Sequence, residues 1–147
     1  MKKKHSIITG ALFLFGALAL SSCEKEEIIQ EAEVPAEIKT YVSTHFPEHK
    51  IIQVERDKEL FDKSYDVLLE GNYSLDFNKK LEITDIDGVS ELPASVIPAL
   101  IMQYVKSNYP TNFITDWELD DKNQQVGLDN GLDLEFNMQG EYLRIDN

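Results

Sequence analysis

The sequence predicts an α+β fold: two tandem α-β-β-β-β repeats forming an antiparallel sheet with the helices on one face. Three observations predict it. Segment 34–57 repeats at 97–120 with nine of 24 positions identical, and 65–87 repeats at 124–146 with eight of 23. Each copy opens with a helical stripe that runs into a proline. Each then continues as short alternating runs separated by two or three turn residues, and strands joined so tightly pair antiparallel.

In copy one, Pro35 stands at the helix start, where its missing N–H costs little. Ile38, Tyr41, Val42 and Phe46 form an i, i+3, i+4, i+8 stripe, and Pro47 stops the helix. In copy two, Ile97, Ile101, Tyr104, Val105 and Tyr109 do the same before Pro110, with Ser95 as the expected N-cap. Strands are expected near 51–57, 65–70, 73–78 and 82–86, then near 113–120, 124–129, 132–137 and 141–145. The offset between copies falls from 63 to 59 near Lys58–Ser64, as an inserted turn would produce. Asn130-Gly131 signals a type I′ hairpin, with Gly71-Asn72 in the same slot. Asn137-Met138-Gln139-Gly140 fits a three-residue loop with Gly in the left-handed position; Leu81 replaces that Gly in copy one, so a different turn is expected there.

The segments are expected to be a signal peptide at 1–22, an acidic tether at 23–33, repeat 1 at 34–88 and repeat 2 at 89–147. Lys2, Lys3 and Lys4 precede an uncharged run from Ile7 to Leu20, too short to span a bilayer comfortably and the right length for a secretory core. It ends in Leu20-Ser21-Ser22-Cys23, which resembles a bacterial lipobox, and Cys23 is the single cysteine of the chain. The resemblance implies cleavage before Cys23 and acylation of its thiol. Membrane affinity then comes from the acyl chains alone. Removal of 1–22 takes away three lysines and no acid, moving the formal charge from −13 to −16. The expected location is the cell envelope, as an outer-membrane lipoprotein either periplasmic or surface-exposed; Lys25-Glu26-Glu27 resembles an acidic surface-export signal.

With 27 acidic against 14 basic residues, the chain is no nucleic-acid binder, which needs a basic footprint. One cysteine excludes disulfide frameworks and multi-cysteine metal sites. No Gly-x-Ser-x-Gly, His-Glu-x-x-His or Gly-rich phosphate loop is present, so no catalytic residue and no cofactor is expected. His45 and His49 are separated by Pro47, which breaks the helix that would align them on zinc. Asp85-Ile86-Asp87-Gly88 and Asp120-Asp121-Lys122-Asn123 are acidic enough for Ca²⁺, but lack the closing Glu of an EF-hand and read as turns.

Alternation sorts the first three strands of each copy into two faces. One holds Ile52, Val54, Arg56, Tyr65, Val67, Leu69, Tyr73, Leu75 and Phe77, with Thr115, Trp117, Leu119, Gln124, Val126, Leu128, Leu132, Leu134 and Phe136 in copy two. This face should carry the helices, with Trp117 as core. The other face has eleven acidic residues among 18 positions and no Lys or Arg. Glu55, Asp66, Asp76, Asp116, Glu118, Asp133 and Glu135 are the expected partner-binding residues, because a broad single-sign surface favours a cationic protein or peptide. The alternatives are a structural or accessory envelope lipoprotein, Ca²⁺-assisted, or an inhibitor of a secreted enzyme.

The pattern Pro-x-x-Ile-x-x-Tyr-Val, then Phe/Tyr-Pro, then strands ending in Leu-x-Phe-Asn-x-x-Gly, resembles the PepSY-like family. That family is similar in fold to β-lactamase inhibitor protein, a tandem of helix-plus-sheet units. The resemblance covers nearly all of 34–147 and implies non-covalent binding of proteins or peptides, with no catalytic residues.

Overall fold

The structure, a computed structural model, describes residues 26–57 and 64–146. The expected signal peptide, Cys23 and residues 58–63 lie outside the described residues. The strands are β1 Glu26–Ile28, β2 Ile51–Asp57, β3 Tyr65–Leu69, β4 Tyr73–Phe77, β5 Ile83–Gly88, β6 Ile114–Leu119, β7 Asn123–Leu128, β8 Asp133–Asn137 and β9 Tyr142–Asp146. They form one antiparallel sheet in unbroken chain order. Helix α1, Ala36–His45, precedes β2, and α2, Ala99–Asn108, precedes β6. Each expected repeat is therefore one helix and four strands, and β5 pairs with β6 to join them.

The ninth strand comes from the expected tether. Glu26–Ile28 pairs with β2, Glu31–Glu33 is a 3₁₀ turn, and Ile29 and Val34 are buried. Glu26, Glu27, Glu31 and Glu33 suggest solvation, and these four are exposed. Ile29 decides the outcome: its N–H donates to the Val54 carbonyl at 2.9 Å and its side chain closes the first end of the core.

Both helices lie on the apolar face. Ile38, Val42 and Phe46 from copy one join Ile97, Ile101 and Val105 from copy two in a single core with Val54, Val67, Leu75, Phe77, Ile86, Trp117, Val126, Leu134 and Phe136. Tyr41 meets Phe77 edge-on at 5.4 Å, and Tyr104 meets Phe136 edge-on at the same 5.4 Å, so the two copies dock their helices by one contact. Trp117 is buried, and its indole N–H donates to the buried Gln124 side-chain carbonyl at 3.1 Å.

Some local expectations are corrected. Register shifts at Ile51/Gln53 and Ile114/Asp116 bulge β2 and β6. Ile51 and Ile114 therefore pack inward, whereas Ile52 is 60% exposed and Thr115 bonds to Asp116 and the Gly127 carbonyl. Ser95 does not cap α2; Pro98 holds that position, matching Pro35, and the Ser95 hydroxyl pairs with His45 Nδ1 at 2.9 Å. In the Asn130-Gly131 hairpin only Gly131 has a positive φ, +79°, and the Gly131 N–H donates to the Leu128 carbonyl; the loop is longer than a type I′ turn. Positive φ at both positions occurs instead at Gly71 and Asn72. The Leu81 turn does not differ from its counterpart. Asn78 and Asn137 each accept two backbone N–H bonds on Oδ1, from Lys80 and Glu82 and from Gln139 and Glu141. Leu81 adopts φ +62° where Gly140 has +85°, a strain of about 1–2 kcal/mol that the Asn brace and Leu81's contact with the core offset.

Candidate functional site

The sheet face opposite the helices is built by register. Directly opposed residues run Glu55–Asp66, Asp66–Asp76, Asp76–Asp85 and Asp85–Glu118. Five successive strands thus each present a carboxylate in one cross-strand row. At the usual inter-strand spacing the row is about 19 Å long. It continues through Gln125 and Glu135 to Arg144. A second row runs from Ser74 through Asp87, Asp116 and Gly127 to Asp133 and Asp146. All seven expected binding residues fall in these two rows: Glu55, Asp66, Asp76, Glu118 and Glu135 in the first, Asp116 and Asp133 in the second.

Asp85 and Asp87 are additions to this face: sorting only the first three of the four strands expected in each copy leaves both acids out, and Asp85-Ile86-Asp87-Gly88 reads as a turn from its composition. β5 extends to Gly88, so both aspartates are strand residues on the acidic face. The signal was available: Thr84, Ile86 and Gly88 alternate with the two acids. The other candidate cation segment is a turn as expected, with the Asp121 N–H donating to Asp120 Oδ1 at 2.6 Å and the Asp120 N–H to the Asn123 carbonyl at 3.0 Å. The fourth strand of copy two also brings one cation onto the face. Arg144 pairs with Glu135 and, at 3.4 Å, with Asp146. Glu135 in addition accepts from the Asn123 amide. Among the described residues, no directly opposed position supplies a cation along copy one and the junction, although Lys79 and Lys80 line a depression beside Asp66 and Asp76, and the face is partly neutralised at the β8–β9 end.

Crowding like charges on a half-buried surface raises their proton affinity. Asp85 is pushed up to about 6, first by burial and then by Asp76, Glu118, Asp87 and Asp116. Asp76 is raised by burial and Asp87, and Asp66 by burial, then Asp76, Glu55 and Asp57. Asp116 is raised chiefly by burial, opposed by bonds from Thr115 and the Gly127 N–H. That N–H bond is 3.0 Å, and it exists because residue 127 lacks a side chain: a Cβ there would lie 1.8 Å from Asp116 Oδ2. Copy one has the opposed pair Gln53 and Leu68 at these positions, with Leu68 39% exposed among the acids.

The two histidines diverge. His45 faces Ser95, and the His49 ring nitrogen meets the Glu70 carbonyl at 2.8 Å. Among the described residues, no three His, Cys, Asp or Glu side chains converge as a metal shell.

The family model described as "Putative beta-lactamase-inhibitor-like, PepSY-like" matches the chain twice, over residues 20–85 and 63–144. The chain belongs to this PepSY-like family. Its fold is similar to three crystal structures. One, from Bacteroides vulgatus, is described as a "putative periplasmic protein" of the DUF2874 family; it is 34% identical with a TM-score of 0.77, over 85% of this chain and 99% of that one. A second, from Bacteroides thetaiotaomicron, is described as a "putative calcium-regulated periplasmic protein"; it is 28% identical with a TM-score of 0.77, over 83% of this chain and 97% of that one. The third, also from Bacteroides vulgatus and described as of unknown function, is 29% identical with a TM-score of 0.76, over 83% and 99%. No curated protein matches the chain. The periplasmic relatives support a cell-envelope location, and the inhibitor-like family supports a non-catalytic protein.

Proposed function

We propose that this protein is a lipid-anchored cell-envelope binding module that holds a basic protein or peptide segment non-covalently on its acidic sheet face. The carrying observation is the in-register row Glu55–Asp66–Asp76–Asp85–Glu118, in which no opposed position supplies a cation. Like charges directly opposed on neighbouring strands destabilise a sheet. A cationic ligand relieves that repulsion, so it gains in the bound state what the free protein lacks, and the broad anionic field speeds its encounter. Anchoring through Cys23 in the outer membrane completes the reading and rests on the lipobox resemblance.

The test is charge reversal of Asp76, Asp133 and Glu135, with binding of a lysine-rich peptide, and of basic proteins from an envelope extract, followed by calorimetry at low and high salt. Affinity should fall at least tenfold in the triple variant and weaken with salt in the parent. Affinity that ignores both the substitutions and the salt removes the proposal.

Calcium regulation is the reading favoured by the description of one relative. The described residues do not fit a resident Ca²⁺, which takes six to eight oxygens: the carboxylates form lines, not a shell. An enzyme-inhibiting role is the second reading, favoured by the inhibitor-like description of the family.

A further inference from the structure

The repeat offers an internal measure of what each sheet edge is built to accept. Arg144, Ile145 and Asp146 of β9 correspond, 59 residues on, to Asp85, Ile86 and Asp87 of β5. β5 is covered by β6, with Asp85 opposite Glu118, Ile86 opposite Trp117 and Asp87 opposite Asp116. Under that cover Ile86 is fully buried, while Ile145, ending the sheet, is 39% exposed. Bulges usually guard open edges, and β9 has one at Leu143, marked by the register shift at Glu135/Phe136. β5 carries the same shift, at Asp76/Phe77, and still accepts β6. The bulge therefore leaves 144–146 competent to pair.

The opposite end of the sheet supplies the matching surface. Gln53, Val54 and Glu55 of β2 correspond, 63 residues back, to Asp116, Trp117 and Glu118 of β6. They are covered by β1 and the residue after it: Ile28 stands opposite Glu55, and the Ile29 N–H reaches the Val54 carbonyl at 2.9 Å. Ile29 on Val54 thus occupies the place that Ile86 on Trp117 occupies at the junction. β1, described from Glu26 to Ile28, stands in for the last strand of a repeat, and it leaves Ile28 66% exposed against a carboxylate.

We propose that β9 of one copy docks on β2 of a second copy in place of that copy's β1, continuing the β5–β6 interface from molecule to molecule. In this register Arg144 faces Glu55, Ile145 covers Val54 and Asp146 faces Gln53. The apolar contact is retained, and a guanidinium replaces Ile28 opposite Glu55. The contact is heterologous, so it propagates head to tail. β1, tethered to its own sheet, is the competitor that keeps dilute protein monomeric.

The test is disulfide trapping in the full chain, expressed in a bacterial envelope with Gln53→Cys and Asp146→Cys together. β2 and β9 lie seven strand spacings apart, about 34 Å, so these cysteines cannot close within one molecule. Oxidation should give a ladder of dimer, trimer and longer species by electrophoresis. Adding Arg144→Glu should cut the ladder roughly fivefold, and adding Glu55→Arg as well should restore it. Circular dichroism of each variant verifies folding. A folded double-cysteine protein that gives no ladder overturns the proposal, as does a ladder indifferent to Arg144→Glu. Dimers formed equally by Asp146→Cys alone would mean that two β9 edges meet instead, which also overturns it.

Discussion

Asp85 sits where every neighbouring strand contributes another acid, and its elevated proton affinity, at about 6, has a direct thermodynamic consequence. Its ordinary value is 3.8, so the folded state binds this proton more tightly than the unfolded chain does. The stabilisation linked to that proton is fully present below the unfolded value and is lost as pH rises through about 6. Asp66, Asp76 and Asp116 shift in the same direction. Melting temperature should therefore rise by a few degrees between pH 7.5 and pH 5, the reverse of ordinary acid destabilisation. Asp85→Asn should raise stability at pH 7.5 by about 1 kcal/mol, a figure reduced for solvent screening of a half-exposed group, and should flatten the pH profile. Calorimetric melts of parent and variant across this range check it; a parent whose melting point falls steadily below pH 7 contradicts the electrostatic account of the row.

At the scale of elements, β1 carries a clear prediction. Ile29→Ala should destabilise the protein by about 2–4 kcal/mol, as expected for a buried isoleucine, and the Ile29 amide should be protected from hydrogen exchange. A tether residue would show neither effect, so a near-zero change in denaturant midpoint would return this segment to solvent. Much of this layer was legible beforehand. The stripes Ile38–Tyr41–Val42 and Ile101–Tyr104–Val105, closed by Pro47 and Pro110, predict α1 and α2, and the period-two alternation predicts eight strands almost to their ends. What escaped sequence reading depends on distant partners. β1 exists because β2 has an edge to cover, which a three-residue run of Glu-Glu-Ile cannot announce. The bulges at Ile52 and Thr115 shift the facing by one residue without any Gly or Pro to mark them. Leu81 holds a left-handed φ only because Asn78 braces the loop. At the site, the acidity of one face was legible from alternation. The alignment of five carboxylates in one row was not, because it depends on bulge positions that set inter-strand register.

For the whole molecule, the question is whether two repeats make two units or one. Each is about 55–60 residues, a size at which a single core is marginal. Here the cores are not separate: buried residues of both copies form one cluster, and Ile86 of the first is covered by Trp117 of the second. Losing either copy would uncover the junction strand of the other. Unfolding should accordingly be a single cooperative transition. Trp117 is the only tryptophan and sits at that junction, so its fluorescence reports the joint, whereas far-UV circular dichroism reports the entire sheet. The two probes should give the same denaturant midpoint and slope. Slowly exchanging amides at Val67 and Leu75 should share one opening free energy with those at Val126 and Leu134. If fluorescence is lost at a lower denaturant concentration than the dichroism, or if the copy-one amides open at a distinctly lower free energy, the repeats are stable units joined by a weak seam. In that case the continuous acidic row would be a hinge between two half-faces instead of one rigid surface.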